Sequence, residues 1–169
     1  NNYAQILRHK KQLYTIVSMT TTTESTDIHR LLSDHFTLFE LVRSVRAELL
    51  EMDNMPDEKQ VKNLTNLCRH ILEPTRIALG DSIYVTSGYR SRELNRIVGG
   101  VKNSKHIMGL AADLHIKNEE YGRRLFGILK ENVHVDQLLF EHGLHGGVWI
   151  HVSYSPKPRH LINDNYVQQ

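Results

Sequence analysis

The sequence predicts a single α+β domain in which helices come first and a small, mainly antiparallel sheet follows. Three observations predict it. A chain of 169 residues suffices for one domain with a substantial core and is short for two. Apolar residues recur at helical spacing through the 30s to the 70s, and beyond residue 82 the texture changes to short β-branched runs punctuated by glycine.

The first thirty residues read as a flexible segment or linker. Basic RHKK (8–11) precedes LYTIVSM (13–19), which is short for a signal-peptide core and lacks a small-x-small cleavage site after it. Polar TTTTESTD (20–27) reads as a linker, and Met19 before it is a candidate natural start. No stretch approaches the ~18 apolar residues of a membrane span.

Organised sequence begins near residue 31 and runs to about residue 162, leaving 163–169 as a tail. Thr37 and Glu40 in TLFE form a capping-box pattern for a helix carrying Leu38, Leu41, Val42 and Val45 on one side. MPDEKQ (55–60) opens a second helix, with Pro56 near its first turn and Val61, Leu64, Leu67, Cys68 and Ile71 at helical spacing; Pro74 is expected to end or kink it. SIYVTSGY (82–89) reads as a strand and SRELNRIVGG (91–100) as a short helix stopped by Gly99 and Gly100. LAADLHI (110–116) reads as a strand and EEYGRRLFGILKEN (119–132) as a helix. VDQLLFE (135–141) and VWIHVSY (148–154) read as a hairpin joined by glycine-rich HGLHGG.

Charge and cysteine narrow the function. A net charge of +2 from 21 basic and 19 acidic residues in mixed order offers no block that would track a phosphate backbone, so nucleic acid is not a favoured partner. The single cysteine, Cys68, has no internal disulfide partner and reads as a small buried hydrophobe. The 11 histidines, several crowded into the last third, stand out.

Alternation along the strands groups Ala111, Asp113 and His115 on one face, and Trp149, His151 and Ser153 on one face of another. His151, flanked by β-branched residues, is either a satisfied core histidine or a ligand; His106, between Ser104 and Gly109, is either an exposed loop residue or a ligand. Two histidines and a carboxylate suit a catalytic zinc site, which needs three protein ligands and a fourth position open to water. A closed structural site, usually rich in thiolates, is excluded by the cysteine count. Periodicity and spacing leave those alternatives open.

The run TSGYRSRELNRIVGGVKNSKHIMGLAADLHI, followed by DQLLFE and WIHVSY, resembles the D-Ala-D-Ala carboxypeptidase family of zinc peptidases, in particular its small cell-wall and phage-associated members. The resemblance covers about residues 32–160, with Ser104, His106, Gly109, Ala111, Asp113 and His151 as its core signature. It implies one zinc per chain bound by His106, Asp113 and His151. It also implies that Arg90 faces substrate and stabilises an oxyanion, and that Ser104 hydrogen-bonds substrate near the metal.

The chain departs from the pattern at Val148, where many members carry an aspartate or glutamate three residues before the last ligand. The Hedgehog amino-terminal signalling domain, which shares the fold and zinc site, has a glutamate at the end of the preceding hairpin strand, in a stretch similar to LLFE. That likeness makes Glu141 the first candidate for catalytic base; His145, in the hairpin loop, is the second candidate for proton transfer or transition-state contact, while His115, His134 and His142 are expected outside the site.

The resemblance implies a zinc metallopeptidase that hydrolyses peptidoglycan stem peptides, as a D-Ala-D-Ala carboxypeptidase or an L-Ala-D-Glu-type endopeptidase. The alternative is a non-catalytic zinc-stabilised module binding peptidoglycan or a protein partner. The expected partner is a peptidoglycan stem peptide rather than nucleic acid, with no membrane span, and the expected state is monomeric. Without a clear signal peptide, the expected source is a phage-derived or an exported cell-wall protein.

Overall fold

Local capping chemistry starts the fold where TLFE predicts it. The computed structural model describes residues 27–143 and 147–164. The expectations for the segment up to residue 26, for His145 and for the tail beyond residue 164 lie outside the described residues. A two-stranded antiparallel hairpin, β1 (Leu31–Ser33) and β2 (Phe36–Thr37), precedes the first helix. Strands this short have no readable alternation, which is why the sequence concealed them. Thr37 then caps α1 (Leu38–Val42): its hydroxyl accepts from the Glu40 N–H, and the Glu40 carboxylate accepts from the Thr37 N–H.

The helix expected to continue through Val45 instead breaks at Arg43, and α2 (Val45–Leu49) starts anew. Ser44 accepts the Ala47 N–H and so caps α2, while Asn54 Nδ2 donates 2.7 Å to the Val42 carbonyl that the broken ladder releases. Val45 is thereby exposed rather than in the core.

Asp57, with Gln60 as its reciprocal partner, caps α3 (Glu58–Leu67), and Pro56 lies immediately before that cap. Val61, Leu64, Leu67, Cys68 and Ile71 are all buried, as their spacing predicts. Pro74 does not end the helix. A π-helical turn (Cys68–Leu72) carries it into α4 (Glu73–Leu79), which stops at Gly80 in the left-handed region. Proline has no N–H for the His70 carbonyl; Asn132 Nδ2 supplies that donor at 2.8 Å, and the Glu73 N–H reaches back to Cys68.

Five strands form the main sheet, in the order β3 (Val85–Ser87), β4 (Ala111–His115), β6 (Val148–Tyr154), β5 (Val135–His142), β7 (Leu161–Asn163). All neighbours are antiparallel except β5 and β7, and the short edge strand β7 was not foreseen. Helices α5 (Arg92–Ile97, capped by Ser91) and α6 (Glu119–Lys130, capped by Asn118) join the strands. One sheet face sends Ala112, Leu114, Leu138, Ile150 and Val152 into a core shared with Leu64, Leu67, Ile71, Leu125 and Leu129. The register sets Asp113 opposite His151 and His151 opposite Leu139, so the other face carries the polar residues.

Candidate metal centre

Asp113 and His151 occupy directly opposed positions on β4 and β6, where side chains on one face lie close enough to converge. His106 joins them from the preceding loop, a chain of tight turns in which the Ile107, Gly109 and Leu110 N–H groups donate to the Ser104, His106 and Lys105 carbonyls. The loop docks on α3: Gln60 Nε2 donates to the Ile107 carbonyl, and Gly109, at φ +69°, would place a Cβ 2.6 Å from the Gln60 carbonyl oxygen. This docking explains why His106 is only 2 % exposed, where a free loop would have left it in solvent.

His106 Nδ1 donates to the Gly88 carbonyl at 2.6 Å, which fixes the tautomer and leaves Nε2 with a free lone pair. That Nε2 lies 3.3 Å from His151 Nδ1 and 3.2 Å from Asp113 Oδ1, and the last two atoms are 2.9 Å apart. Among the described residues this is the group of metal-ligating side chains whose donor atoms all fall within 4.8 Å of one another. Tetrahedral zinc with bonds of about 2.0–2.1 Å has ligand atoms about 3.3 Å apart, so the two nitrogens and the oxygen fit that ion. Cys68 belongs elsewhere: burial pushes its thiol up, with Glu40 and Glu73 adding to the effect, and it packs in the core.

Burial alone would raise the Asp113 carboxyl. The hydrogen bonds and charges of His106 and His151 outweigh that cost and hold it well below the usual carboxylate range, so it is ionised and ready to ligate. Its second oxygen accepts from Arg90 Nη2 at 2.5 Å, and Arg90 Nε donates 2.9 Å to Ser87 Oγ. Arg90 therefore stands on the donor set and does not cap the helix that follows, a task done by Ser91.

The SGYRS segment is held from three sides. The Tyr89 N–H donates to the Leu41 carbonyl, the Arg90 N–H donates to the His106 carbonyl, and Asn54 bridges the Tyr89 carbonyl and the Ser91 N–H. A Cβ on Gly88 would lie 2.3 Å from the Leu41 carbonyl oxygen, so only glycine permits this approach. Gly88→Ala should cost about 1–3 kcal/mol of stability and displace the carbonyl that orients His106. Denaturant titration and zinc affinity measured on the same samples check both effects.

The donor set opens onto a cleft of about 980 Å³, also lined by Arg90, Ser104, Leu139, Glu141 and Trp149. Glu141 sits two residues from Leu139, diagonal to His151, and its Oε2 accepts from Trp149 Nε1 at 2.7 Å. Ser104 Oγ accepts the His106 N–H at 3.3 Å and so belongs to the turn that presents the ligand. His115 is exposed beside Tyr84, His134 packs against His70 and Tyr154, and His142 ends β5; none belongs to the converging group. A separate, mainly apolar groove of about 750 Å³, lined by Phe39, Val42, Ala47 and Met52, holds none of the donor residues.

Two parts of the site were missed from the sequence. Trp149 was assigned to a face but not to Glu141. Asp136, at the start of an apolar strand, was passed over although a buried charge there requires partners: the Arg159 guanidinium and backbone N–H donate to it, with Lys105 nearby. Those hydrogen bonds pull the Asp136 carboxyl down to about 2. A group depressed in the folded state stabilises above its unfolded value of 3.8, and the contribution is lost as pH falls from about 4 through about 2. Asp136→Asn should therefore cost about 1–2 kcal/mol at pH 7, the exposed side of Arg159 screening part of the effect. Stability curves of the two proteins should draw together as pH falls below 3.8 and converge below about pH 2.

Residues 34–153 match the family model described as Peptidase M15. No curated protein matches the chain.

Proposed function

The chain belongs to the Peptidase M15 family of zinc metallopeptidases, and from that premise we propose that its cleft hydrolyses peptide bonds in bacterial cell-wall stem peptides. The observation that supports this reading best is the convergence of His106 Nε2, Asp113 Oδ1 and His151 Nδ1 on one point at the floor of an open cleft. These three residues would hold one zinc ion, which supplies Lewis acidity for polarising a carbonyl and activating water.

The remaining chemistry falls to side chains around them. Glu141 takes the proton from the attacking water and returns it to the leaving amine, with the Trp149 indole holding its carboxylate in place. Arg90 keeps Asp113 oriented through Nη2 and offers its remaining N–H groups to the oxyanion that develops on the scissile carbonyl. Ser104 fixes the His106 backbone and lies at the cleft wall, where its hydroxyl contacts the substrate chain.

Digestion of purified stem peptides by zinc-loaded protein, with mass analysis of the products, tests the reading. Loss of a terminal D-alanine identifies a carboxypeptidase, and a cut after L-alanine identifies an endopeptidase. Peptide binding without any cleavage would replace the enzyme by a binding module.

A further inference from the structure

Two cations outside the donor set, Lys105 and Arg159, line the same cleft as Glu141, and both face the buried carboxylate of Asp136. Asp136 lies where the register of β5 against β6 slips between Val135 and Gln137, and such a bulge re-aims a side chain. Its carboxylate is 2 % exposed and accepts from Arg159 Nε at 3.0 Å and Nη2 at 2.6 Å, while the Lys105 ammonium stands 3.6 Å away. One buried carboxylate thus faces two cations. Arg159 alone would balance it, so Lys105 leaves a net positive charge. Among the described residues the Lys105 ammonium donates no hydrogen bond, and Asp136 leaves Arg159 Nη1 unused. Both cations line the cleft, with side chains 27 % and 57 % exposed. Asp136 lies three residues before Leu139, the partner of His151, which at ~3.3 Å per residue sets the charge about 10 Å along the sheet from the ligands. An extended peptide covers that distance in about three residues.

We propose that Lys105 and Arg159, anchored by Asp136, form a subsite for a carboxylate of the substrate chain, about 10 Å along the cleft from the metal-ligating residues. The identification of the ligand as a peptide rests on the hydrolase reading above; the charge arrangement does not. An arginine fork beside an ammonium offers a carboxylate several charge-assisted hydrogen bonds, and the Asp136 anchor reduces the freedom lost on binding. A stem peptide has two such carboxylates, that of its γ-linked D-glutamate and that of its C-terminus.

The test uses the pentapeptide L-Ala-γ-D-Glu-L-Lys-D-Ala-D-Ala in three forms: both carboxylates free, the glutamyl one amidated, and the C-terminal one amidated. Each is titrated into the zinc-loaded full chain, with KM taken where cleavage occurs and Kd by calorimetry where it does not. The wild type should favour the free peptide over one of the two amides by about tenfold or more, which names the carboxylate bound. In Lys105→Met and Arg159→Gln that preference should shrink to within about twofold. Equal binding of all three peptides, or no binding, would overturn the subsite, as would variants that keep the preference. Preference without cleavage would sink the hydrolase reading and keep the subsite; cleavage without preference would do the reverse. Arg159→Gln weakens the partner of a buried charge, so thermal unfolding accompanies each titration; Lys105→Met removes no hydrogen bond and decides the matter if the first variant fails to fold.

Discussion

Replacing His151 with alanine should leave purified protein with less than about a tenth of a zinc per chain where the wild type holds about one. Outer-sphere changes at zinc sites already cost about 10–100-fold in affinity, and loss of one of three protein ligands costs more. The position makes the effect specific. His151 stands opposite Asp113 on adjacent strands, its Nδ1 lies within 3.3 Å of both other donor atoms, and among the described residues no further metal-ligating side chain joins the group. Peptide hydrolysis should fall by at least about a thousandfold, because the Lewis acid leaves with the ligand. His106→Ala should behave alike. Zinc should also raise the unfolding temperature of the wild type but not of either variant, since a ligand stabilises only the fold that binds it. Metal analysis after dialysis checks the prediction, and zinc retained at one per chain in either variant would remove that residue from the centre.

Glu141→Gln should lower kcat by about 10²–10⁴-fold with zinc content unchanged, the range over which a positioned proton-transfer group contributes. Glutamine keeps an oxygen for the Trp149 indole, so the β5–β6 pairing and the cleft wall stay as they are. What it loses is the ability to hold a proton between attack and departure of the amine. Trp149→Phe separates position from chemistry: the carboxylate stays but its 2.7 Å donor goes, and a smaller fall, about tenfold, should follow with zinc again unchanged. Stopped assays on one stem peptide, with metal analysis of each sample, check both variants. Undiminished turnover in Glu141→Gln would move the base to another group, with His145 next to be replaced.

The parts of the fold that were legible are those in which one short segment decides its own structure. The Thr37–Glu40 capping box, the apolar stripe from Val61 to Ile71 and the alternation in VWIHVSY each act within a few residues, and each element forms where it is read. Pro74 misled because its consequence depends on a residue 58 positions away, Asn132, which repairs the missing hydrogen bond and lets the helix continue. The break before Val45 has the same character: Asn54 rewards the freed Val42 carbonyl from outside the helix.

The site divides along the same line. His106, Asp113 and His151 were legible as a chemically sensible set, and the resemblance to zinc peptidases joined them. Their convergence depends on cross-strand register and on a loop docked against Gln60, neither of which spacing in one chain expresses. Gly88 shows the difficulty most plainly. Its role is to let its own backbone approach Leu41 and present a carbonyl to His106, and a glycine beside a strand is otherwise an ordinary turn residue.

The central claim, that one zinc held by His106, Asp113 and His151 drives peptide hydrolysis, is tested most directly by stoichiometric reconstitution. Chelator-stripped protein is titrated with zinc while cleavage of a stem peptide is followed. Activity should be absent at the start, rise linearly, and reach its plateau at one equivalent of zinc per chain. Cleavage by the stripped protein at the full rate, or a fully loaded protein that cleaves no stem peptide, would contradict the account.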